Sequence, residues 1–173
     1  MFICIMNQII SNYQQEIEST EYHACSYQIE GIKIIERTAK ITPKKIGQFV
    51  TCWKRNANGI TEPYKHSDEL DFFFIKVKNE EKSGVFKFPK EVLTKYGILS
   101  TEKKDGKRGF RVYPSWDKPT SKQAIKTQHW QINYFINKIK RVSNRPSTCV
   151  NCAGLDLKDD AVLATIGPSE ANA

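Results

Sequence analysis

Residues 34–55 read IIERTAKITPKKIGQFVTCWKR. Arg37, Lys40, Lys44, Lys45, Lys54 and Arg55 sit within it, Lys33 stands just upstream, and Glu36 is its sole acid. Ile41, Ile46, Phe49, Val50 and Trp53 are threaded between the charges. A solvated loop would lack that apolar set, and a plain core strand would lack the charges. The stretch therefore folds with one side against a core and the other side electropositive, which suits a phosphate-bearing partner. Along 32–42 the alternation places Arg37, Ala39 and Ile41 on one side of a strand, with Glu36, Thr38, Lys40 and Thr42 on the other. Thr42-Pro43 then interrupts the chain. A helix starting there would use Ile46, Phe49, Val50 and Trp53 as its stripe. Gly47 argues against it, and Phe49-Val50-Thr51-Cys52-Trp53 has strand composition. The preferred reading is a turn at 43–45 and a strand over 47–55, followed by a hairpin-like turn at Asn56-Ala57-Asn58-Gly59.

Upstream, Ile9, Ile10, Tyr13 and Ile17 recur at helical spacing, which predicts an amphipathic helix over 7–18. Residues 22–30 are short and mixed, and Glu30-Gly31 turns into the strand that begins at Ile32. Downstream, Phe72-Phe73-Phe74-Ile75-Lys76-Val77 reads as a buried strand. A turn over 79–84 leads to its alternating partner, Val85-Phe86-Lys87-Phe88. Pro89 opens a short helix over 91–96 that Gly97 ends. A basic, glycine-bearing loop covers 103–109, and a strand runs over 109–113 to Pro114. Ser121 caps a long helix to about Arg141, with Ile125, Ile132, Phe135, Ile136 and Ile139 as its core stripe. About five strands with flanking helices predict an α+β single domain, mainly antiparallel sheet, with a long C-terminal helix. The domain is expected over 1–145, with a flexible tail over 146–173 whose last part, 161–173, is rich in Ala, Gly, Ser and Pro.

The chain has 173 residues and a net charge of +8, but the charge is uneven. Residues 1–32 hold Glu16, Glu18, Glu21 and Glu30 with no Lys or Arg, and beyond 145 Lys158 stands alone against Asp156, Asp159, Asp160 and Glu170. The positive charge belongs to the middle, in three clusters: 37–55, 103–111 and 122–145. Trp53, Tyr64, Tyr113, Trp116, Trp130 and Tyr134 recur beside them. Basic groups neutralise phosphates and rings can stack on exposed bases. The plain alternative is a solvated lysine face over ordinary core rings. No stretch approaches the ~18 apolar residues of a membrane helix. Five cysteines, an odd number scattered through the chain, fit a reducing cytoplasm better than a disulfide framework.

Catalytic patterns are weak. Asp68 and Asp71 precede the Phe-rich strand and Glu80-Glu81-Lys82 follows it, which fits the lettering of a metal-dependent nuclease site. Yet 80–84 reads as a solvent turn, and Asp68 and Asp71 read better as turn residues or partners for the basic patch. Cys149-x-x-Cys152 is half of a zinc site, with no second pair. His23, His66 and His129 are isolated. Neither a phosphate loop nor a dinucleotide glycine pattern occurs. No cofactor or metal is called for, and the reading leans away from an enzyme.

The blocks ERTAKITPKKIGQFVTCWKR, DELDFFFIKV, GVFKFPKEVL, GKRGFRVYPSWD and TQHWQINYF, spread over 36–135, resemble the MepB family. The resemblance implies a small cytoplasmic bacterial protein. Staphylococcal members are encoded beside a multidrug efflux pump and its regulator, and no established catalytic residues come with the resemblance. Nucleic-acid binding, of the kind carried by restriction-enzyme recognition domains, is the expectation. Phosphate contacts are expected from Lys40, Lys44, Lys45, Lys54, Lys107 and Arg108. Base or stacking contacts are expected from Arg37, Gln48, Arg55, Arg111, Trp116 and Gln128, with Thr42 and Trp53 beside them. Two rival readings remain: a metal-dependent nuclease or phosphoesterase using Asp68, Asp71 and Glu80, and an accessory protein binding an acidic partner or an anionic ligand.

Overall fold

The computed structural model describes residues 3–5, 8–16 and 19–138. They fall in the first of two units of the chain, Met1–Arg141; the second, Val142–Ala173, lies outside the described residues, and so does the expected tail. Strands β1 (Ile3–Ile5), β2 (Gln8–Gln15), β3 (Cys25–Ile29) and β4 (Ile32–Thr38) come first. Strands β5 (Lys40–Thr42), β6 (Lys45–Thr51), β7 (Trp53–Arg55) and β8 (Thr61–Pro63) follow. The hairpin β9 (Phe72–Lys78) and β10 (Ser83–Pro89) leads into helix α1 (Lys90–Lys95). Strand β11 (Gly109–Val112), helix α2 (Lys122–Gln131) and strand β12 (Phe135–Lys138) complete the described chain. The fold is α+β and mainly antiparallel.

A seven-stranded sheet runs in the order β1-β2-β3-β4-β9-β10-β12, a three-stranded sheet in the order β11-β6-β5, and β7 with β8 forms a separate hairpin. Among the described strands one pairing is parallel, β4 against β9. Parallel neighbours need a long crossover, commonly a helix. Here residues 39–71 make the crossover, and they use it to build β5 to β8. The stretch that carries the basic cluster is thus an excursion from the large sheet that folds back on it.

The core lies where that excursion returns. Ile35 of β4, Phe73, Ile75 and Val77 of β9, and Phe86 and Phe88 of β10 meet Val50 of β6 and Phe110 and Val112 of β11. Leu93 of α1 joins the same cluster. Each fully buried side chain of this kind contributes about 1.5–3 kcal/mol of transfer free energy. A smaller cluster of Ile10, Cys25, Tyr27 and Ile34 occupies the other face of the large sheet, with Phe72 and Phe74 against it.

The short strands, turns and first helix of the middle region stand where the pattern placed them, but four expectations are corrected. Residues 8–15 form a strand, not a helix. The register of β2 on β3 slips between Ser11 and Gln14, and Asn12 there has φ of 53°. A bulge adds one residue to a strand, so the three-residue spacing of Ile10 and Tyr13 imitates a helix. The run over 32–42 is two strands broken at Ala39, and the run over 47–55 is two strands broken at Cys52. The strand count is twelve among the described residues, not about five.

The long C-terminal helix is the fourth correction. Helix α2 stops at Gln131, a short 3-10 turn covers Ile132–Tyr134, and β12 then pairs with β10. Aromatic and β-branched residues crowd that segment and favour the strand. Of the expected stripe, Ile125, Ile132 and Ile136 face outward at 49%, 40% and 39% exposure, while Phe135 packs on the core as expected. Trp130 and Tyr134 join it there, and Gln131 is fully buried. Ile139 lies outside the described residues.

Candidate nucleic-acid interface

The three-stranded sheet has two unlike faces because successive strand residues alternate. Inward, Gln48, Val50, Phe110 and Val112 are buried. Outward, Lys40 of β5, Phe49 of β6 and Arg111 of β11 stand in one cross-strand row, fixed by the registers Lys40↔Phe49 and Arg111↔Phe49. All three are half-buried. The Arg111 guanidinium donates to the Gly47 carbonyl at 2.9 Å and to Thr42 Oγ1 at 2.7 Å, with its carbon 5.9 Å from the Phe49 ring centre. Lys40 Nζ lies 4.8 Å over the Tyr22 ring and pairs with Glu21 at 2.5 Å. That lysine holds the exposed Glu21 carboxyl below its ordinary range. Tyr22 meets Phe49 edge-on, with ring centres 6.5 Å apart.

Two glycines make room for this face. A Cβ at Gly109 would come within 2.5 Å of the Phe49 ring, and one at Gly47 within 2.5 Å of the Tyr113 ring. Gly47 also has φ of +85°, a conformation that costs other residues about 1–2 kcal/mol. Beyond the row, the β5–β6 turn projects Lys44 and Lys45 into solvent, and neither forms an ion pair among the described residues. Ile41 and Ile46 flank them at 63% and 46% exposure. The tip is therefore both cationic and apolar.

The other expected contact residues scatter. Trp53, Arg55 and Arg108 gather at the β7–β8 hairpin, where Arg55 lies 5.7 Å over Trp53 and reaches the Gly59 carbonyl. Arg108 Nε reaches the Thr61 carbonyl at 3.3 Å, and Lys107 is exposed beside it. Lys54 is held between Asp68 at 2.5 Å and Glu62 at 3.7 Å. Four others are tied to the fold, Gln48 and Arg37 buried and Gln128 and Trp116 half-buried. Gln48 is 2% exposed and bonds the backbone of Lys78. The Gln128 amide donates to the Pro114 and Asp117 carbonyls. Trp116 packs edge-on against Phe135.

Arg37, the fourth, is 1% exposed. Its guanidinium joins Glu16 at 2.6 Å, Tyr64 Oη at 3.1 Å, the Trp53 carbonyl at 3.1 Å and Thr51 Oγ1 at 3.1 Å. It fastens the ends of β6 and β7 to the large sheet. Burial there pushes the Tyr64 hydroxyl well up, against the pull of the guanidinium. Burial also pushes the Cys52 thiol up to about 12.

Two residues of the outward face, Phe49 and Tyr22, are not among the expected contact residues, and Phe49 was expected with the apolar set against the core. Strand alternation over 47–51 separates Phe49 from Val50 and could have found it. Nothing local marks Tyr22. Of the carboxylates in the metal-site lettering, Asp68 accepts from Lys54 and from the Lys65 amide, and Asp71 accepts from the Lys33 amide. Among the described residues no group of three or more His, Cys, Asp or Glu side chains could hold a metal, and no helix is long and apolar enough to cross a membrane.

An α+β domain whose small second sheet offers a cationic, ring-bearing outer face is the class these observations define. The MepB-like family model matches residues 16–137, and the chain belongs to that family. It is similar to the crystal structure of MepB, with 38% identity and a TM-score of 0.72, over 79% of this chain and 89% of that one. No curated protein matches the chain.

Proposed function

We propose that the chain is a nucleic-acid-binding protein whose interface is the outward face of the three-stranded sheet and its β5–β6 tip. One observation carries the reading: the cross-strand row Lys40–Phe49–Arg111, seated beside the unpaired cations Lys44 and Lys45. Free lysines meet phosphates and release counterions, while a fixed, half-exposed guanidinium meets base edges or planes. Arg108 and Lys107 extend the cationic surface beside Thr61. Arg37 and Gln48 are buried and support the fold beneath the interface, and Gln128 and Trp116 brace the 114–117 segment and Phe135. Lys54 adds little, because Asp68 and Glu62 already neutralise it.

Lys44→Glu with Lys45→Glu tests the assignment, since both side chains are exposed and outside the core. Oligonucleotide affinity, read by fluorescence anisotropy, is expected to fall by at least about 100-fold while the melting temperature stays within about 2 °C of wild type. Unchanged affinity in the double variant overturns the interface.

A further inference from the structure

We infer that the outward face takes unpaired bases, so that its ligand is single-stranded nucleic acid. The inference rests on the nucleic-acid reading and deepens it. Neither Phe49 nor Tyr22 packs against either hydrophobic cluster of the fold. Both rings are half-buried all the same, on a face they share with Lys40, Arg111 and the exposed Glu21 that pairs with Lys40. The backbone makes room for one of them, because a side chain at Gly109 would collide with the Phe49 ring. The Arg111 guanidinium is tied at both terminal nitrogens, to Gly47 and Thr42, so its plane is fixed beside Phe49. Two rings and a fixed guanidinium plane thus lie in one patch with Lys40 over Tyr22.

A duplex offers phosphates and groove edges but keeps the faces of its bases stacked inside. Unpaired bases present those faces, and rings or guanidinium planes on a sheet are where they stack. A patch built only for phosphate would need lysines and no seated ring. The exposed lysines of the β5–β6 tip then track the backbone of the same strand, and the rings distinguish a strand with bases from a bare polyanion.

The test uses the full chain and three labelled ligands at one salt concentration: oligothymidine, a duplex of equal length, and an abasic deoxyribose-phosphate strand of equal length. Oligothymidine is expected to bind about tenfold or more tighter than either of the others. Phe49→Leu and Tyr22→Leu are each expected to cut oligothymidine affinity by about tenfold and to leave abasic-strand affinity unchanged. The abasic comparison needs no variant, so it decides the matter even if Phe49→Leu folds poorly. Equal affinity for abasic and thymidine strands, or tighter binding of the duplex, overturns the inference and leaves the nucleic-acid reading standing. Failure of all three ligands to bind at low salt overturns both.

Discussion

The two faces of the three-stranded sheet share a backbone and differ in every other respect. The inner face buries Gln48, Val50, Phe110 and Val112 against the large sheet, while the outer face leaves Lys40, Phe49 and Arg111 half-buried in a row. Arg37 and Arg111 show what the difference means. Both are arginines of a basic, aromatic-rich sequence. Arg37 is enclosed by four partners and has no surface to offer, whereas Arg111 keeps two anchors and is half-buried. Burial, more than charge, separates a cation that holds the fold from one that can meet a ligand.

The largest effect is expected inside. Arg37→Met removes one partner of a buried pair and strands Glu16, Thr51, the Tyr64 hydroxyl and the Trp53 carbonyl. Such losses cost about 3–5 kcal/mol, and Glu16, 25% exposed, can rehydrate and brings the figure toward about 3. Urea denaturation measures it, and a loss under about 1 kcal/mol would erase the contrast between the two arginines. On the outer face, Gly109→Ala forces the Phe49 ring off its seat, an overpacking cost of about 1–3 kcal/mol. Oligonucleotide affinity should fall with it; unchanged affinity would detach Phe49 from the interface.

At neutral pH the smallest effect comes from the buried thiols, which act only in alkali. Burial pushes Cys25 up to about 11 and Cys52 to about 12, from an ordinary value of 9.0. Above about pH 9 the unfolded chain releases thiol protons that the folded chain retains, so stability falls as pH rises toward 11–12. The slope is at most about 1.4 kcal/mol per pH unit for each thiol. Cys52→Ala should flatten that alkaline slope without changing oligonucleotide binding at neutral pH. A slope identical to wild type would remove Cys52 from the account.

The local punctuation of the chain was legible. Thr42-Pro43, Asn58-Gly59 and Gly97 mark real turns, and the Phe-rich hairpin announces itself by alternation. The ends were misread for physical reasons. The bulge at Asn12 gives β2 a helical spacing, and Ile125, Ile132 and Ile136, at helical intervals after 121, are surface residues. The site was partly legible. Lys40, Thr42, Lys44, Lys45 and Arg111 lie together, but Arg37 and Gln48 lie within. A strand pattern shows that a side chain faces one way or the other. It does not show what the rest of the fold lays over it, and Glu16 and Tyr64 reach Arg37 from distant parts of the chain.

Amide hydrogen exchange of the chain, with and without saturating oligothymidine, tests the central claim most directly. The account predicts added protection at 40–49 and 109–112, with helix α2 at Lys122–Gln131 unchanged. Protection confined to α2, with the three-stranded sheet exchanging as it does in the free protein, would contradict it.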